Sequence, residues 1–198
     1  MIIGLTGGIA TGKSESAKYF QEMGAYCIDA DLISKDLTVK DSPALKELVK
    51  EFGKSILVVD GSLNREKLGN IIFSDKMAKL KIEKVLHRHI ISRIKEITFR
   101  EKDKQNIIIN APLLFEVGLD RICDKVVVIW APYNIEAARL ARRDHLNKQE
   151  IKKRIESQMP IEKKMKLADF VVDNSGTKQN LKRNIISLYN LLVLSFQS

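Results

Sequence analysis

Residues 4–14 read G-L-T-G-G-I-A-T-G-K-S, and within them Gly7 to Ser14 match the pattern G-x-x-x-x-G-K-[ST]. Ahead of the pattern lies M-I-I-G-L-T, a short, apolar, β-branched run that reads as a buried strand of a parallel sheet. Behind it, Ala17, Phe20 and Met23 recur at helical spacing until Gly24 ends the periodicity. Strand, glycine-rich loop and helix, in that order, are the setting in which such a pattern binds phosphate. Glycines let the backbone fold around an anion, and the first N–H groups of the helix add partial positive charge. In that setting Lys13 reaches the β- and γ-phosphates of a nucleoside triphosphate, and the Ser14 hydroxyl binds Mg²⁺.

The alternation continues outward. A-Y-C-I-D-A-D (25–31), N-I-I-I-N-A-P (106–112), K-V-V-V-I-W-A-P (125–132) and D-F-V-V-D-N-S-G (169–176) read as four more strands, most of them separated by helical patterns. The fold expected is α/β, a five-stranded parallel sheet with helices on both faces. About 75 residues separate strands two and three, far more than one crossover helix needs. This stretch reads as almost wholly helical. Residues 42–53 carry a Ser42 cap, Pro43 in the first turn and Gly53 at the end. Residues 58–65 form a turn with Asn64 placed to cap the next helix, and a long helix runs from Asp75 to about Lys104 with Ile82, Val85, Leu86, Ile90, Ile94 and Ile97 on one side. Segments 1–31 and 104–198 therefore read as a nucleotide-binding core, and 32–103 as a helical insertion.

Composition bounds the function. The 198 residues are 44% hydrophobic and 30% charged, an ordinary globular balance that argues against disorder. The net charge of +9 calls for an anionic partner, whether nucleic acid, lipid or a phosphorylated small molecule. Two cysteines, Cys27 and Cys123, fit neither a metal spacing nor a disulfide framework, so a reducing cytoplasm is expected. No basic region precedes the few apolar residues at the start, and no apolar run is long enough to span a bilayer, so neither a secretory signal nor a membrane is expected.

A phosphate loop specifies a nucleotide, not a reaction. Asp29 and Asp31 end the second strand at the edge where ligands sit in open α/β sheets. Either one takes a proton from an attacking hydroxyl or one caps the next helix, and two aspartates allow both roles. Strand three carries no acid at its end, and the guanine-reading N-K-x-D motif is absent, which disfavours nucleic-acid motors and GTPase switches. Glu116 is the nearest acid, either functional or an ordinary first-turn carboxylate. Arg139 and Arg143 lie four apart on one helix face, placed to clamp a triphosphate or simply to face solvent with Arg142. The basic stretch that follows is either a mobile lid or a solvated helix. Besides small-molecule kinases, a nucleic-acid-binding ATPase stays open, although aromatics are only 6% and form no stacking pattern.

The chain resembles the dephospho-coenzyme A kinase family along essentially its whole length. The carriers are the 4–14 loop, I-D-A-D (28–31), D-G-S-L-N-R (60–65), L-H (86–87), A-P-L-L-F-E (111–116), A-R-L-A-R-R-D (138–144), R-I-E-S-Q-M (154–159) and A-D-F-V-V-D-N-S-G (168–176). The resemblance implies transfer of the ATP γ-phosphate to the ribose 3′-hydroxyl of dephospho-coenzyme A, the last step of coenzyme A synthesis. It implies catalytic roles for Asp31 as base and for Lys13, Arg139 and Arg143. It implies ATP contacts at Gly8, Ala10, Thr11, Gly12, Lys13, Ser14, Glu15, Asn174 and Gly176, and Mg²⁺ on Ser14. Acceptor contacts are implied at Arg65, His87, Leu113, Phe115 and Glu116, with 32–103 binding the acceptor and 139–163 closing as a lid. ATP and dephospho-coenzyme A are the expected partners, with no nucleic acid, no membrane, and a monomer or weak homo-oligomer. Three positions depart from the family pattern: Ala10 stands where glycine is usual, Glu15 where Thr or Ser is common, and Arg88 where proline follows Leu-His.

Overall fold

Short apolar runs rich in β-branched residues form the strands β1 (Ile2–Gly7), β2 (Tyr26–Asp29), β3 (Ile107–Asn110), β4 (Lys125–Trp130) and β5 (Phe170–Asp173). The computed structural model describes residues 1–103 and 105–196. Lys104, Gln197 and Ser198, which bound the expected 104–198 core segment and the expected end of the long helix, lie outside the described residues. Among the described residues the five strands form one sheet in the order β2-β3-β1-β4-β5. The pairs β1–β3, β1–β4 and β4–β5 are parallel, with Ile3 opposite Ile108 and Leu5 opposite Val127. β3, β4 and β5 stop two or three residues before the expected ends, and Pro112, Pro132 and Gly176 fall in the segments trimmed away. β2 stops at Asp29 because the chain turns there directly into a helix.

The helices are α1 (Lys13–Glu22), α2 (Ala30–Asp36), α3 (Pro43–Phe52), α4 (Arg65–Ser74), α5 (Lys76–Glu101), α6 (Tyr133–Asp144), α7 (Lys148–Glu156), α8 (Ile161–Leu167) and α9 (Lys178–Phe196). Helix α9 is an addition to the elements expected from the sequence. The chain divides into two compact units, Met1–Ile28 with Thr98–Ser198, and Asp29–Ile97.

In the first unit, Ile3 and Leu5 of β1, Ile108 of β3 and Val127 and Ile129 of β4 face Phe20 of α1 and Leu181, Ile185 and Leu192 of α9. Phe20 meets Tyr189 edge to face with ring centroids 5.6 Å apart, and Asn106 Nδ2 donates to the Tyr189 hydroxyl at 3.0 Å, so the buried phenol keeps a polar partner. On the opposite side of β1, a Cβ at Gly4 would lie 2.8 Å from Leu114 and 2.9 Å from Cys123 Sγ, so that face is packed as well.

The second unit has its own core. Leu45, Leu48, Ile56, Leu63, Leu68, Ile82 and Val85 cluster from α3, α4, α5 and the connections between them. Full burial of each large side chain contributes about 1.5–3 kcal/mol before entropy is counted. The expected caps are present. Leu45 N–H donates to Ser42 Oγ and Lys67 N–H to Asn64 Oδ1, and Asp75 Oδ1 accepts from Met77 and Ala78 N–H ahead of α5. The expected turn over 58–65 is a small hairpin in which Leu57 bridges Leu63.

Candidate active site

The loop between β1 and α1 folds back on itself. Thr11 Oγ1 donates to Gly8 O at 2.9 Å, and Ser16 Oγ donates to Gly12 O at 3.1 Å. The Lys13 ammonium donates to Gly8 O at 2.7 Å and to Gly7 O at 3.4 Å, so the expected cation stands over the loop and not away from it. Gly12 has a φ of 101°, and a Cβ there would collide with the Asn174 side-chain amide. That residue is therefore glycine on two counts, conformation and space. Ala10 also takes the left-handed region, with φ 57°. A glycine at this point would relieve about 1–2 kcal/mol of Cβ strain.

Asn174 is buried at the end of β5 and braces the loop. Its Nδ2 donates to Thr11 O at 2.7 Å, and its own carbonyl accepts from Arg139 Nη2 at 3.0 Å. The structure thus links Arg139, Asn174 and the phosphate loop in one chain of hydrogen bonds, while Gly176 is exposed just beyond. Arg143 is exposed and forks onto the carboxylate of its neighbour Asp144, at 2.7 and 3.0 Å. Asp144 also accepts from Arg154 of α7. Arg139, Arg142 and Arg143 with Ala138 line a cleft of about 380 Å³. Glu15 points back along α1, where the Tyr19 hydroxyl donates to it at 3.0 Å and Lys178 lies 3.5 Å away. The Tyr19 hydrogen bond, with help from Lys178, holds its carboxyl below the usual range, so its charge has counterparts. Ser14 opens α1 with an exposed side chain, a hard oxygen of the kind a divalent cation accepts. Among the described residues no group of three or more His, Cys, Asp or Glu is placed to hold a metal, so a metal here would share its coordination with nucleotide phosphates.

Two buried charged side chains beside these residues have no advance signal in the sequence. Glu136 of α6 is only 3% exposed and lies against Gly8, where an added Cβ would strike its Oε1. Burial pushes its carboxyl up to about 7, against the pull of Lys13 and Arg139. It helps line a cleft of about 490 Å³ with Gly8, Ile9, Trp130, Tyr133, Met159 and Glu162. Lys164 of α8 is fully buried, with its ammonium 2.9 Å from Glu116 Oε1 and 2.6 Å from Pro112 O. Glu116 also accepts from Met159 N–H at 3.0 Å, so it ties the chain before α8 to the connection after β3. Lys164 is the buried member of this pair and Glu116 the exposed one, so removing Glu116 leaves the ammonium buried without its counter-charge. Glu116→Ala should cost about 3 kcal/mol and lower Tm by about 6–12 °C. Thermal unfolding of wild type, Glu116→Ala and Glu116→Gln checks this, and a Tm unchanged in Glu116→Ala would exclude the brace. Leu113 and Phe115, on either side of buried Leu114, are half-buried.

In the second unit, the Asp29 carboxylate accepts from Asp31 N–H at 2.9 Å and Leu32 N–H at 3.1 Å. Asp29 is thus the cap of α2, and Asp31 is exposed in its first turn. Arg65 donates to the buried Thr38 hydroxyl at 2.9 Å. His87 is half-buried, and burial holds its imidazole below the usual range. Arg88 does not continue a proline pattern but pairs with Glu47, which also meets His89 at 2.9 Å.

A family model described as dephospho-CoA kinase matches residues 1–180. The dephospho-CoA kinase of Bacillus licheniformis is 36% identical, covering 97% of this chain and 95% of that protein. Among solved structures, TT1252 from Thermus thermophilus superposes with a TM-score of 0.80 at 30% identity, covering 97% of both chains. The dephospho-CoA kinase from Campylobacter jejuni superposes with a TM-score of 0.73 at 27% identity, covering 96% of both. With a family model matching residues 1–180 and a relative 36% identical over 97% of this sequence, the chain belongs to the dephospho-CoA kinase family.

Proposed function

We propose that this chain carries out its family's reaction, the ATP-dependent phosphorylation of dephospho-CoA, with the roles divided as follows. The loop of the first unit holds ATP, and the helical unit holds the acceptor by its diphosphate and pantetheine arm. The observation that carries the ATP half is the Lys13 ammonium held over the loop at Gly8 O. Its charge stands where phosphoryl oxygens would be cradled and neutralises the group in flight. Arg139, anchored at Asn174, and the more exposed Arg143 supply further positive charge on the triphosphate side. Gly8, Ala10, Thr11, Gly12 and Glu15 frame the phosphates, and Asn174 and Gly176 serve the nucleotide end. Asn174 does so through its brace on Thr11.

Asp31 takes the proton from the ribose 3′-hydroxyl as that oxygen attacks phosphorus. The reading is supported by Asp29, which already fills the capping role and leaves Asp31 for chemistry. A kinase of this kind works with a divalent metal. We assign Mg²⁺, held by the Ser14 hydroxyl together with phosphate oxygens, where it neutralises charge on the phosphates. Arg65, His87, Leu113, Phe115 and Glu116 serve the acceptor. The +9 charge is used by two phosphate-rich ligands, so nucleic acid has no part in the reaction. No helix among the described residues is long and apolar enough to cross a membrane. Neither cysteine is in a disulfide; we place the enzyme in the cytoplasm, and a monomer or weak homo-oligomer suffices for the reaction.

The test is release of ADP from ATP with dephospho-CoA, AMP, CMP, shikimate or RNA as acceptor. Only dephospho-CoA should support turnover. Arg65→Ala should raise the KM for dephospho-CoA about tenfold, the loss expected for one charge-assisted contact, and leave that for ATP nearly unchanged. An ATP curve that moves while the acceptor curve stays would remove the acceptor from the helical unit.

A further inference from the structure

Glu136 is a buried acid that the proposed reaction does not use. It belongs to the loop's own surroundings: an added Cβ at Gly8 would strike its Oε1, and the same Gly8 carries the carbonyl that Lys13 grips at 2.7 Å. Glu136 Oε1 is buried without a hydrogen-bond partner. One helical turn on, Arg139 Nη1 is likewise buried without one, although its Nη2 is fixed on Asn174 O. An unpaired acceptor and an unpaired donor three residues apart on α6 are thus set beside the loop. The charges that act on Glu136 are Lys13 from α1, Arg139 from its own helix and Glu162 from α8, and Tyr133 and Glu156 line the same cleft.

We infer that Glu136 is a positioning residue that stands in for a phosphate anion beside the loop, and that ATP binding is accompanied by uptake of one proton at its carboxylate. Without ATP, the carboxylate offsets the charges of Lys13 and Arg139, both of which act on it. When the triphosphate arrives, those cations turn their charge to phosphate oxygens. The carboxylate is then left beside a polyanion in a buried site, where both its burial and its new neighbour disfavour charge. A proton from solvent adds to one carboxylate oxygen, no other bond changes, and the neutral carboxyl gains an O–H donor. Burial already pushes the free carboxyl to about 7, so this protonation is within easy reach near neutral pH.

The sign follows from linkage. A group whose bound-state pKa is raised binds ligand more tightly when protonated, so ATP affinity falls as pH rises through the free value near 7. With the carboxyl protonated throughout this range once ATP is bound, the loss is about fivefold between pH 7 and pH 8. The inference rests on the ATP site proposed above, and the experiment separates the two. Calorimetric titration of MgATP into wild type and Glu136→Gln, without acceptor, is run from pH 6 to 8.5 in two buffers of different ionisation enthalpy. Wild type should take up close to one proton more than Glu136→Gln at pH 8, and its affinity should fall more steeply with pH. The comparison cancels the ionisation of ATP itself. Equal proton uptake and equal slopes in the two proteins would overturn the inference while leaving the ATP site intact. A uniform loss of affinity at every pH in Glu136→Gln would make Glu136 merely structural. Absence of MgATP binding to wild type at any pH would remove both readings. Should Glu136→Gln fail to fold, wild type alone decides through its carboxyl infrared band, which must gain one protonated carboxyl when ATP binds at pH 8.

Discussion

Lys13→Ala should lose about 10³-fold or more in turnover while remaining folded. The size follows from what the ammonium does. It is a charge held at the loop on Gly8 O, and in the proposed reaction it acts on phosphoryl oxygens whose charge rearranges during transfer. A low-dielectric, preorganised site makes such a charge worth far more than it would be in water. The fold should persist because the loop does not hang on this side chain. Thr11 bonds Gly8 O, Ser16 bonds Gly12 O, and Asn174 braces Thr11 O without it. The measurement is kcat with saturating dephospho-CoA alongside thermal unfolding of the same preparation. Near-normal turnover in a folded Lys13→Ala protein would remove the loop from the chemistry.

Asp31→Asn should lose about 10²–10⁴-fold in turnover, the usual range for a missing general base. Its stability should shift by less than about 1 kcal/mol, because Asp31 is exposed in the first turn of α2, where a carboxylate's favourable interaction with the helix dipole is of that size or smaller. The neighbouring carboxylate provides the contrast. Asp29 accepts two backbone N–H groups at the start of α2, so Asp29→Ala should cost about 1 kcal/mol of stability. Single-turnover phosphoryl transfer and chemical denaturation of the two variants separate base from cap. Normal transfer per folded molecule in Asp31→Asn, with stability lost instead, would reverse the assignment.

Much of this could be read before any coordinates. A strand of β-branched residues, a glycine loop and a helix follow from local preferences. Caps such as Ser42 and Asn64 are equally local, because the bonded partners sit within three residues of each other. The pair Asp29 and Asp31 was legible as room for one helix cap and one proton acceptor, but not which was which. That choice turns on a single backbone angle at the end of β2, where Asp29 stays extended while Ala30 enters the helix. Asn174 was legible only as part of a motif that the family carries. Its brace on Thr11 spans 163 residues of sequence. Periodicity has no reach over that distance.

By itself the sequence determined the strand, glycine loop and helix around Gly12, Lys13 and Ser14, because backbone conformation within one continuous segment sets them. It also determined the parallel α/β class, since buried strands and crossover helices are periodic along the chain. The tertiary structure alone decided the strand order, which places β1 between β3 and β4. It alone decided the state of the charged residues Glu136 and Lys164. In sequence both look like solvated helix residues, Glu136 in N-I-E-A-A-R and Lys164 in E-K-K-M-K. Folding brings Gly8 against Glu136 and Glu116 against Lys164, and buries both. Burial is a property of what arrives from elsewhere in the chain, and it is burial that turns an ordinary carboxylate into one that ionises near neutral pH.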